Sequence, residues 1–595
     1  MPSLHEILWD LTVDDLKSRL PLLDSKPEGQ NKAHLIEAIK ASLKADSAAQ
    51  QWDHLTRLEQ GAVAEACHAF DLRHHEARVE AKYGKLPPFS EPLHHGKPFS
   101  RRGRDVPTRL NLFLYRCRYP DGYEMPSDLA EALRCFVPKP SALKITPIAK
   151  PQGEEGLFIR LTEQDALAEV VALLRLAEQG NLRATEKTAM PTAAGCTKIL
   201  ECLSTGDFFP PEVAHLPNKK KWQQEIGLIK PVGWVRLLKN AGYLGASGSR
   251  SKLTPSGIKT LAKPPAEIIC ELWKKWLKTN KFDEFNRVDE IKGQKSKGHM
   301  TTIPPRRNTI QRALMECPPN EWIDLQKFGA FMRAEDFDFE VSYDPWKLYL
   351  GEREYGNFGY AGYGGWEVIQ FRYLQALLFE YAAPLGLIDI AYLHPADALP
   401  GFKDQWGADD LEWLSRYDGL RAFRITNLGA YCFGMISKFK QTHALTSLQL
   451  TLFPDLTIRL LSPRIQPAEK LLLETWAEPI ASDTWRLHAL RSRDAIERGQ
   501  NIDAFSDFLR NAHKDALPET VEGFLITTKS EATALQSLGE AFLYNCRDVQ
   551  TTLMILEYKT LKKICHRYGD TQLVVPAAHL PKFQKQVRAL GLGII

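Results

Sequence analysis

Positively charged side chains are concentrated in residues 217–307, where they could neutralise phosphate groups. This stretch holds 20 Lys and Arg against 7 Asp and Glu, a local net charge of +13. The whole chain carries only +4, so the remaining residues sum to −9. Cationic side chains that contact phosphates release condensed counterions, and this release drives nucleic-acid binding. The stretch therefore predicts a nucleic-acid contact, with solvated faces of ordinary helices as the alternative for any single residue.

A second, smaller basic segment precedes it, at residues 97–118, where Asp105 is the only acidic residue. A solvated loop beside a buried strand is the alternative there. The predicted nucleic-acid contacts of the two segments together are Arg250, Lys252, Lys274, Lys275, Lys278, Lys295, Lys297, Arg306, Arg307, Arg101, Arg102 and Arg104.

The elements that would position the larger basic stretch follow a helix–turn–helix–wing order. Residues 233–244 have the pattern of an amphipathic helix stopped by Gly242. Residues 247–257 form a short basic hairpin, and another helix starts near Ile258. A helix, a basic two-stranded tip and a further helix are typical of a winged helix. Upstream, residues 161–178 and a segment starting at Pro191 predict two helices, which either read DNA or pack against the next domain.

The same spacing occurs again further along the chain. Lys252-Leu-Thr-Pro-Ser-Gly and Arg424-Ile-Thr-Asn-Leu-Gly each place a Thr after a strand and a Gly at the start of a helix. This predicts repeated winged-helix units, with one or two more in residues 304–440. The Gly- and Tyr-rich loop at 351–366 could stack on bases, anchor a partner protein or pack on its own domain.

The fold class predicted from these patterns is mainly α with α+β parts, in a multi-domain array of winged-helix units. In residues 1–45 two short helices are predicted around the turn at Pro21–Gly29, and the second opens with Gln30-Asn-Lys. This pattern resembles a SAP-type helical DNA-binding module, and residues 44–51 have the composition of a linker. Residues 52–150 are a helical, winged-helix-like unit with the Arg-rich loop, in which 110–115 is a strand. Residues 160–300 combine a helical segment with the basic winged helix, 304–440 follow, and 445–595 form an α+β domain.

The sequence contains no motif for nucleotide hydrolysis, zinc binding, a disulfide framework or membrane insertion. Gly293 and Gly298 have the glycine spacing of a phosphate loop, but His299 and Met300 stand where Lys and Ser or Thr are needed. The ten cysteines include no C-x2-C pair, which disfavours a zinc module and a disulfide framework. No apolar run is long enough for a membrane helix, and the first residues lack a signal-peptide pattern. We therefore expect a cytoplasmic protein without cofactor, metal or membrane partner, and not an enzyme, although a nuclease assembled only in the fold stays open.

A set of stretches in the C-terminal portion and the middle of the chain carries a family resemblance. They are Pro454-Asp-Leu-Thr-Ile, Trp485-Arg-Leu, Ala495-Ile-Glu-Arg-Gly, Phe508-Leu-Arg, Leu517-Pro-Glu, Val574-Val-Pro and Val587-Arg-Ala-Leu-Gly, with Arg372-Tyr-Leu, Leu385-Gly-Leu-Ile-Asp and Phe423-Arg-Ile-Thr-Asn-Leu-Gly in the middle of the chain. Through them the C-terminal portion resembles the N-terminal domain of XPB-type DNA repair helicases and the bacterial helicase-associated proteins that carry this domain without the motor. The resemblance implies engagement of DNA or a partner, and no catalytic residues. Because the ATPase lobes are missing, unwinding would belong to another protein.

These observations predict a non-catalytic DNA-binding accessory protein. It would engage duplex or single-stranded DNA and recruit a separately encoded helicase or nuclease in DNA repair or in defence against foreign DNA. A winged-helix transcriptional regulator and a protein–protein scaffold without DNA binding are the alternatives.

Overall fold

The computed structural model describes residues 2–24, 27–91, 106–117, 122–215, 224–247, 250–295, 298–359, 365–398, 401–440, 448–532, 534–535 and 539–595. These residues form a mixed α and β structure with small antiparallel sheets. The chain divides into two compact units. The first consists of Met1–Thr446 with Ile465–Leu472, and the second of Ser447–Arg464 with Leu473–Ile595.

The N-terminal part of the first unit is helical and has an apolar core of its own, which extends from Leu4 to Val137. The first turn of its second helix is closed by a reciprocal cap: Asp15 N–H donates to the Thr12 hydroxyl, and Thr12 N–H donates to the Asp15 carboxylate. The elements are α1 (Leu4–Asp10), α2 (Val13–Arg19), α3 (Lys32–Ser42), α4 (Ala45–Asp53), α5 (Arg57–His68), α6 (Glu76–Tyr83), β1 (Ser90–Glu91), β2 (Val106–Pro107), β3 (Tyr115–Cys117), β4 (Gly122–Glu124) and α7 (Ser127–Leu133).

Two predictions in this part are wrong. Residues 44–51, predicted as a linker, lie almost entirely in α4, where the buried Gln51 side chain donates to Asp24 at 2.8 Å. Residues 110–115, predicted as a strand, begin as a 3-10 helix at Arg109–Leu112. Leu110 and its neighbours up to Leu114 are all buried, so both faces of the segment are covered and its apolar run does not distinguish helix from strand. The boundary predicted near residues 45–52 lies inside one shared core.

The rest of the first unit contains two successive segments with the same order of elements. In the first, β6, β7 and β8 form a sheet of order β6-β8-β7, and all pairs are antiparallel. The elements are β5 (Phe158–Arg160), α8 (Glu163–Glu178), β6 (Leu182–Arg183), α9 (Ala193–Cys202), α10 (Pro211–Ala214), α11 (Lys230–Asn240), β7 (Leu244–Ser247), β8 (Arg250–Leu253), α12 (Pro255–Thr260) and α13 (Pro265–Lys278).

The second segment pairs its strands in the order β9-β11-β10, and β5 extends the sheet beyond β10. Its long apolar helix, which we call the 366–382 helix, has π-helical turns at Trp366–Gln370 and Leu377–Ala382 on either side of α16. The elements are α14 (Ile303–Met315), β9 (Trp322–Asp324), α15 (Leu325–Ala334), α16 (Phe371–Ala376), β10 (Ile388–Tyr392), β11 (Leu420–Ile425) and α17 (Asn427–Phe433).

The Thr and Gly spacing noticed in the sequence corresponds to one repeated contact. Thr254 caps α12 by accepting from Gly257 N–H at 3.1 Å, and Thr426 caps α17 by accepting from Gly429 N–H at 2.9 Å. In each case the Thr N–H donates to the carbonyl that a Cβ on the Gly would overlap, Tyr243 in the first and Leu387 in the second. Both stretches therefore have the predicted order of strand, Thr, two residues, Gly and helix, and in both the Thr caps the helix. Thr192 and Gly195 make the same contact at α9, which the sequence pattern did not reveal.

The two segments share one core, in which α11 of the first segment contacts the 366–382 helix of the second. α11 packs against the 366–382 helix at Gly233, where a Cβ would overlap the backbone carbonyl oxygen of Glu380. The common core fully buries Trp234 and Leu238 of α11 and Tyr381 of the 366–382 helix. The boundary predicted between residues 300 and 304 therefore lies within a single core, and most of α11 is inaccessible to solvent.

The second unit contains two further antiparallel sheets, of order β12-β13-β15-β14 and β16-β18-β17. The predicted pairing around Pro454 and Asp455 is confirmed, because β12 pairs with β13. The elements from the end of the first unit onward are β12 (Leu450–Leu452), β13 (Thr457–Leu460), α18 (Pro467–Trp476), β14 (Ala477–Ala481), β15 (Thr484–Leu487), α19 (Ala489–Glu497), α20 (Ile502–Ala512), α21 (Glu519–Ala532), β16 (Ala541–Asn545), α22 (Val549–Glu557), β17 (His566–Arg567), β18 (Gln572–Pro576) and α23 (Leu580–Ala589).

Candidate nucleic-acid interface

Five of the predicted contacts are exposed on the first unit. Lys252 lies on β8, three others lie in the second half of α13, and Lys295 lies in a loop: the set is Lys252, Lys274, Lys275, Lys278 and Lys295. Lys297, Arg101, Arg102 and Arg104 are outside the described residues, as is the side chain of Arg250, whose backbone pairs with Ser247.

Arg306 and Arg307 are inside the protein, which corrects their assignment as phosphate contacts. The Arg306 guanidinium donates to both oxygens of Asp283, at 3.1 and 2.9 Å. Arg307 donates to both oxygens of Glu284, at 2.6 and 3.0 Å, and also to the Trp276 and Phe282 carbonyls. The two guanidinium groups are already satisfied and are shielded from water, so they stabilise the fold and cannot reach a phosphate.

Local contacts connect the lysines of α13 to the end of α11. Lys275 Nζ donates to the Ala241 carbonyl at 2.8 Å and lies 4.4 Å from the centre of the Tyr243 ring. Asn240 donates from its amide to the Lys275 carbonyl at 3.2 Å. Lys239, on the last turn of α11, donates to the Thr185 carbonyl at 3.1 Å. The lysines of α13 and the loop that follows β6 therefore belong to one surface.

A pocket of about 900 Å³ opens on the same part of the unit. The loop after β6 and residues 281–295 build most of it, and α11 contributes Arg236 from its middle. Its basic side chains are Lys187, Arg236, Lys281, Arg287, Lys292 and Lys295. Asp283 and Asp289 also line it, but each is paired with an arginine that does not, Arg306 and Arg416 respectively. We call this cavity the basic pocket.

Arg236 and Arg287 form the buried part of the basic pocket and share one carboxylate, that of Glu380. Arg287 Nε lies 3.0 and 2.8 Å from the two Glu380 oxygens. Arg236 Nη1 lies 3.6 Å from Glu380 Oε1 and donates to the Tyr381 hydroxyl at 2.9 Å. Two guanidinium groups therefore face a single carboxylate, which leaves one positive charge uncompensated beside the cavity.

The environment keeps Glu380 ionised although the side chain is fully buried. Burial alone would raise its pKa, but the charges of Arg287 and Arg236 and a hydrogen bond donated by the Tyr417 hydroxyl together lower the pKa below its ordinary value. Burial would lower the pKa of Arg287, but the charge of Glu380, its hydrogen bond and the neighbouring Tyr417 and Tyr381 together hold that pKa well above its ordinary value. All three groups are therefore charged at neutral pH.

Sequence reasoning included Lys281 and Lys292 only as part of the basic stretch, and it did not single out Arg236, Arg287 or Lys187. Lys187 comes from a loop about 30 residues before the stretch, beside Thr188 and Met190, and only folding brings it to Lys281. No periodicity or motif marks Arg236 as a pocket residue, because its carboxylate partner Glu380 is remote in the sequence.

Two further findings concern the described residues alone. They contain no group of three or more His, Cys, Asp and Glu side chains that could hold a metal ion. Among their helices, none combines the length and apolar character needed to cross a membrane. Comparison with known proteins found no matching family model and no matching curated protein.

Proposed function

We propose that this chain is a non-catalytic DNA-binding accessory protein that grips phosphates through the lysines of α13 and β8 and the adjoining basic pocket. The observation that carries the proposal is the continuity of this surface. Exposed Lys275 adjoins the end of α11, and Lys239 of α11 contacts the loop that carries Lys187 into the pocket. Such a surface suits the phosphate backbone, because lysine ammonium groups act as point charges without base-specific geometry.

The order of elements supports a winged-helix assignment for both segments of the first unit. Apart from the single-turn helix α10 in the first segment, each runs helix, strand, helix, helix, strand, strand. β6 pairs with β8 in the first segment and β9 pairs with β11 in the second. In DNA-binding helix–turn–helix proteins a recognition helix lies in the major groove. Here α11 and the 366–382 helix are buried against each other. We therefore assign the contact to the hairpin of β7 and β8 and to α13, and expect binding that is indifferent to sequence.

The second unit would recruit the helicase or nuclease partner, as its resemblance to the XPB-type domain implies. β16 is an edge strand, and Phe542 and Leu543 on it are 45% and 58% exposed. Helix α22, which follows β16 in the chain and contacts β17, exposes Val549, Leu553 and Met554 by more than 40%. An open strand edge and exposed apolar side chains on the same unit favour a protein partner.

The direct test measures binding of the full chain to several unrelated labelled duplexes and single strands over a range of salt concentrations. We expect similar affinities for all duplexes and a logarithmic salt slope of about −0.9 for each phosphate neutralised on B-DNA. Tight binding confined to one duplex would favour the transcriptional regulator instead. The absence of binding at low salt would favour the scaffold.

A further inference from the structure

We propose that the basic pocket binds the phosphate monoester of a nucleotide, either at the end of a nucleic-acid strand or in a free nucleotide. The proposal deepens the function proposed above, and the strand-end form rests on it. The pocket differs from the exposed lysines because its cations converge from separate segments around a cavity. Its size of about 900 Å³ lies within the range of small-molecule sites.

The charge balance of the pocket favours a doubly charged anion. Lys187 and Lys281 are exposed on its lining, and the inner pair of Arg236 and Arg287 retains one charge in excess of Glu380. A phosphate monoester carries up to two negative charges at neutral pH, whereas a phosphodiester within a strand carries one. A terminal phosphate therefore matches this concentration of charge better than an internal phosphate does.

Arg236 supplies an observation independent of the charge count. The residue is only 8% exposed, and within the described part of the chain its Nε has no hydrogen-bond partner. A buried donor without an acceptor costs free energy, so such a group calls for an explanation. Nε itself is shielded from solvent, but Nη2 of the same guanidinium has only the weakly accepting Met190 sulfur, at 3.6 Å. Because Arg236 and Met190 both line the pocket, an acceptor oxygen delivered by a ligand would give this guanidinium a stronger partner.

The remaining lining can accommodate the rest of a nucleotide. Phe282, Ile291 and Tyr349 contribute apolar and aromatic surface beside the cations, and the Arg236 guanidinium carbon lies 5.7 Å from the centre of the Phe282 ring. Asn286 offers an amide that can donate to or accept from a base or sugar. Aromatic faces and an amide beside a phosphate-binding group are suited to a nucleoside monophosphate.

The test compares matched ligands with and without the phosphate. The full-length protein is titrated with internally labelled single strands that carry a 5′-phosphate, a 3′-phosphate or only hydroxyl ends, and separately with nucleoside monophosphates and the corresponding nucleosides. We expect at least one phosphate-bearing ligand to bind about tenfold or more tightly than its hydroxyl counterpart, the gain expected for hydrogen bonds to a charged group. The strand and free-nucleotide arms identify the source of the phosphate.

Asn286 provides variants that should leave the fold intact, because its side chain is exposed on the pocket lining. N286D introduces a negative charge into the pocket lining, which would repel the phosphate, and should remove most of the tenfold preference. N286S removes the amide without adding charge; it would affect phosphate and hydroxyl ligands alike and should keep the ratio of their affinities. Equal affinity for phosphate and hydroxyl ligands in both arms, or equal behaviour of N286D and N286S, would overturn the proposal.

The same titrations separate this proposal from the broader one. If strands with hydroxyl ends bind in a salt-dependent manner and the phosphate adds nothing, nucleic-acid binding stands and the pocket assignment is wrong. If only free nucleoside monophosphates bind, the pocket assignment stands and nucleic-acid binding is wrong.

Discussion

Arg287 donates through its Nε to both carboxylate oxygens of Glu380, at 3.0 and 2.8 Å, inside the core of the first unit. The same Glu380 covers Gly233 of α11 with its backbone carbonyl. One residue therefore joins the two repeated segments by close backbone packing and holds the arginines of the basic pocket by its charge. The stability of the core and the electrostatics of the pocket both depend on Glu380.

Replacing Glu380 by Gln should destabilise the first unit strongly. The amide cannot balance Arg236 and Arg287, and leaving buried charges without their partner costs about 3–5 kcal/mol. We expect urea denaturation, followed by tryptophan fluorescence, to show a loss of that size. Glu316 is exposed at the end of α14, so E316Q is the control and should change stability by less than about 0.5 kcal/mol. Equal midpoints for the two variants would contradict the structural role of Glu380.

The stabilisation by Glu380 should also depend on pH. Because its pKa in the folded protein is lowered, its contribution is complete above the ordinary glutamate pKa of about 4.3 and is lost as the pH falls through the folded value. The difference in unfolding free energy between the wild type and E380Q should therefore be constant from pH 7 to about 5 and should shrink below about 4.3. Urea denaturation curves of both proteins at several pH values measure this difference in unfolding free energy. A difference that grows on acidification would show that the shift has the opposite sign.

Replacing Gly233 by Ala should weaken the packing between the two segments and lower the stability of the first unit. The added methyl group would overlap the Glu380 carbonyl oxygen, and backbone atoms cannot move aside cheaply, so we expect a loss of about 1–3 kcal/mol. Gly523 lies within α21, and a methyl group added there would point into open space, so G523A should instead gain about 0.4–1 kcal/mol. Thermal unfolding of both variants tests this pair. A stabilised G233A would mean that the two helices are not in close contact.

Reversing the charge of Lys252, Lys274 and Lys278 together should weaken DNA binding. Each lysine that contacts a phosphate contributes about 0.9 to the salt slope, so the triple glutamate variant should lose up to about 2.7 units of slope. Lys139, Lys144 and Lys150 are exposed elsewhere in the first unit, and the same triple reversal there changes the net charge equally. Fluorescence anisotropy at several salt concentrations compares the two variants. If both lose the same affinity, net charge and not this surface determines binding.

The sequence by itself determined the local features. The extent of α8 follows from its apolar periodicity. Helix α11 stops because Gly242 adopts a φ of +75°. Thr254 and Thr426 each cap a helix because their hydroxyl groups accept from a backbone N–H within the first turn. These depend on neighbours in the chain, which a sequence displays. The concentration of lysines between residues 217 and 307 is likewise a property of composition.

Only the tertiary structure decided which of those charged side chains are exposed and can contact a phosphate. Arg306 and Arg307 look in sequence like Lys274 and Lys275, but their partners Asp283 and Glu284 are 23 residues away. Glu284 is fully buried and the Asp283 side chain is only 12% exposed. Likewise α11 has the pattern of a surface helix, yet it packs against the 366–382 helix more than 130 residues later. Burial of a charge depends on a counter-charge that folding delivers, and local spacing carries no record of that distant residue.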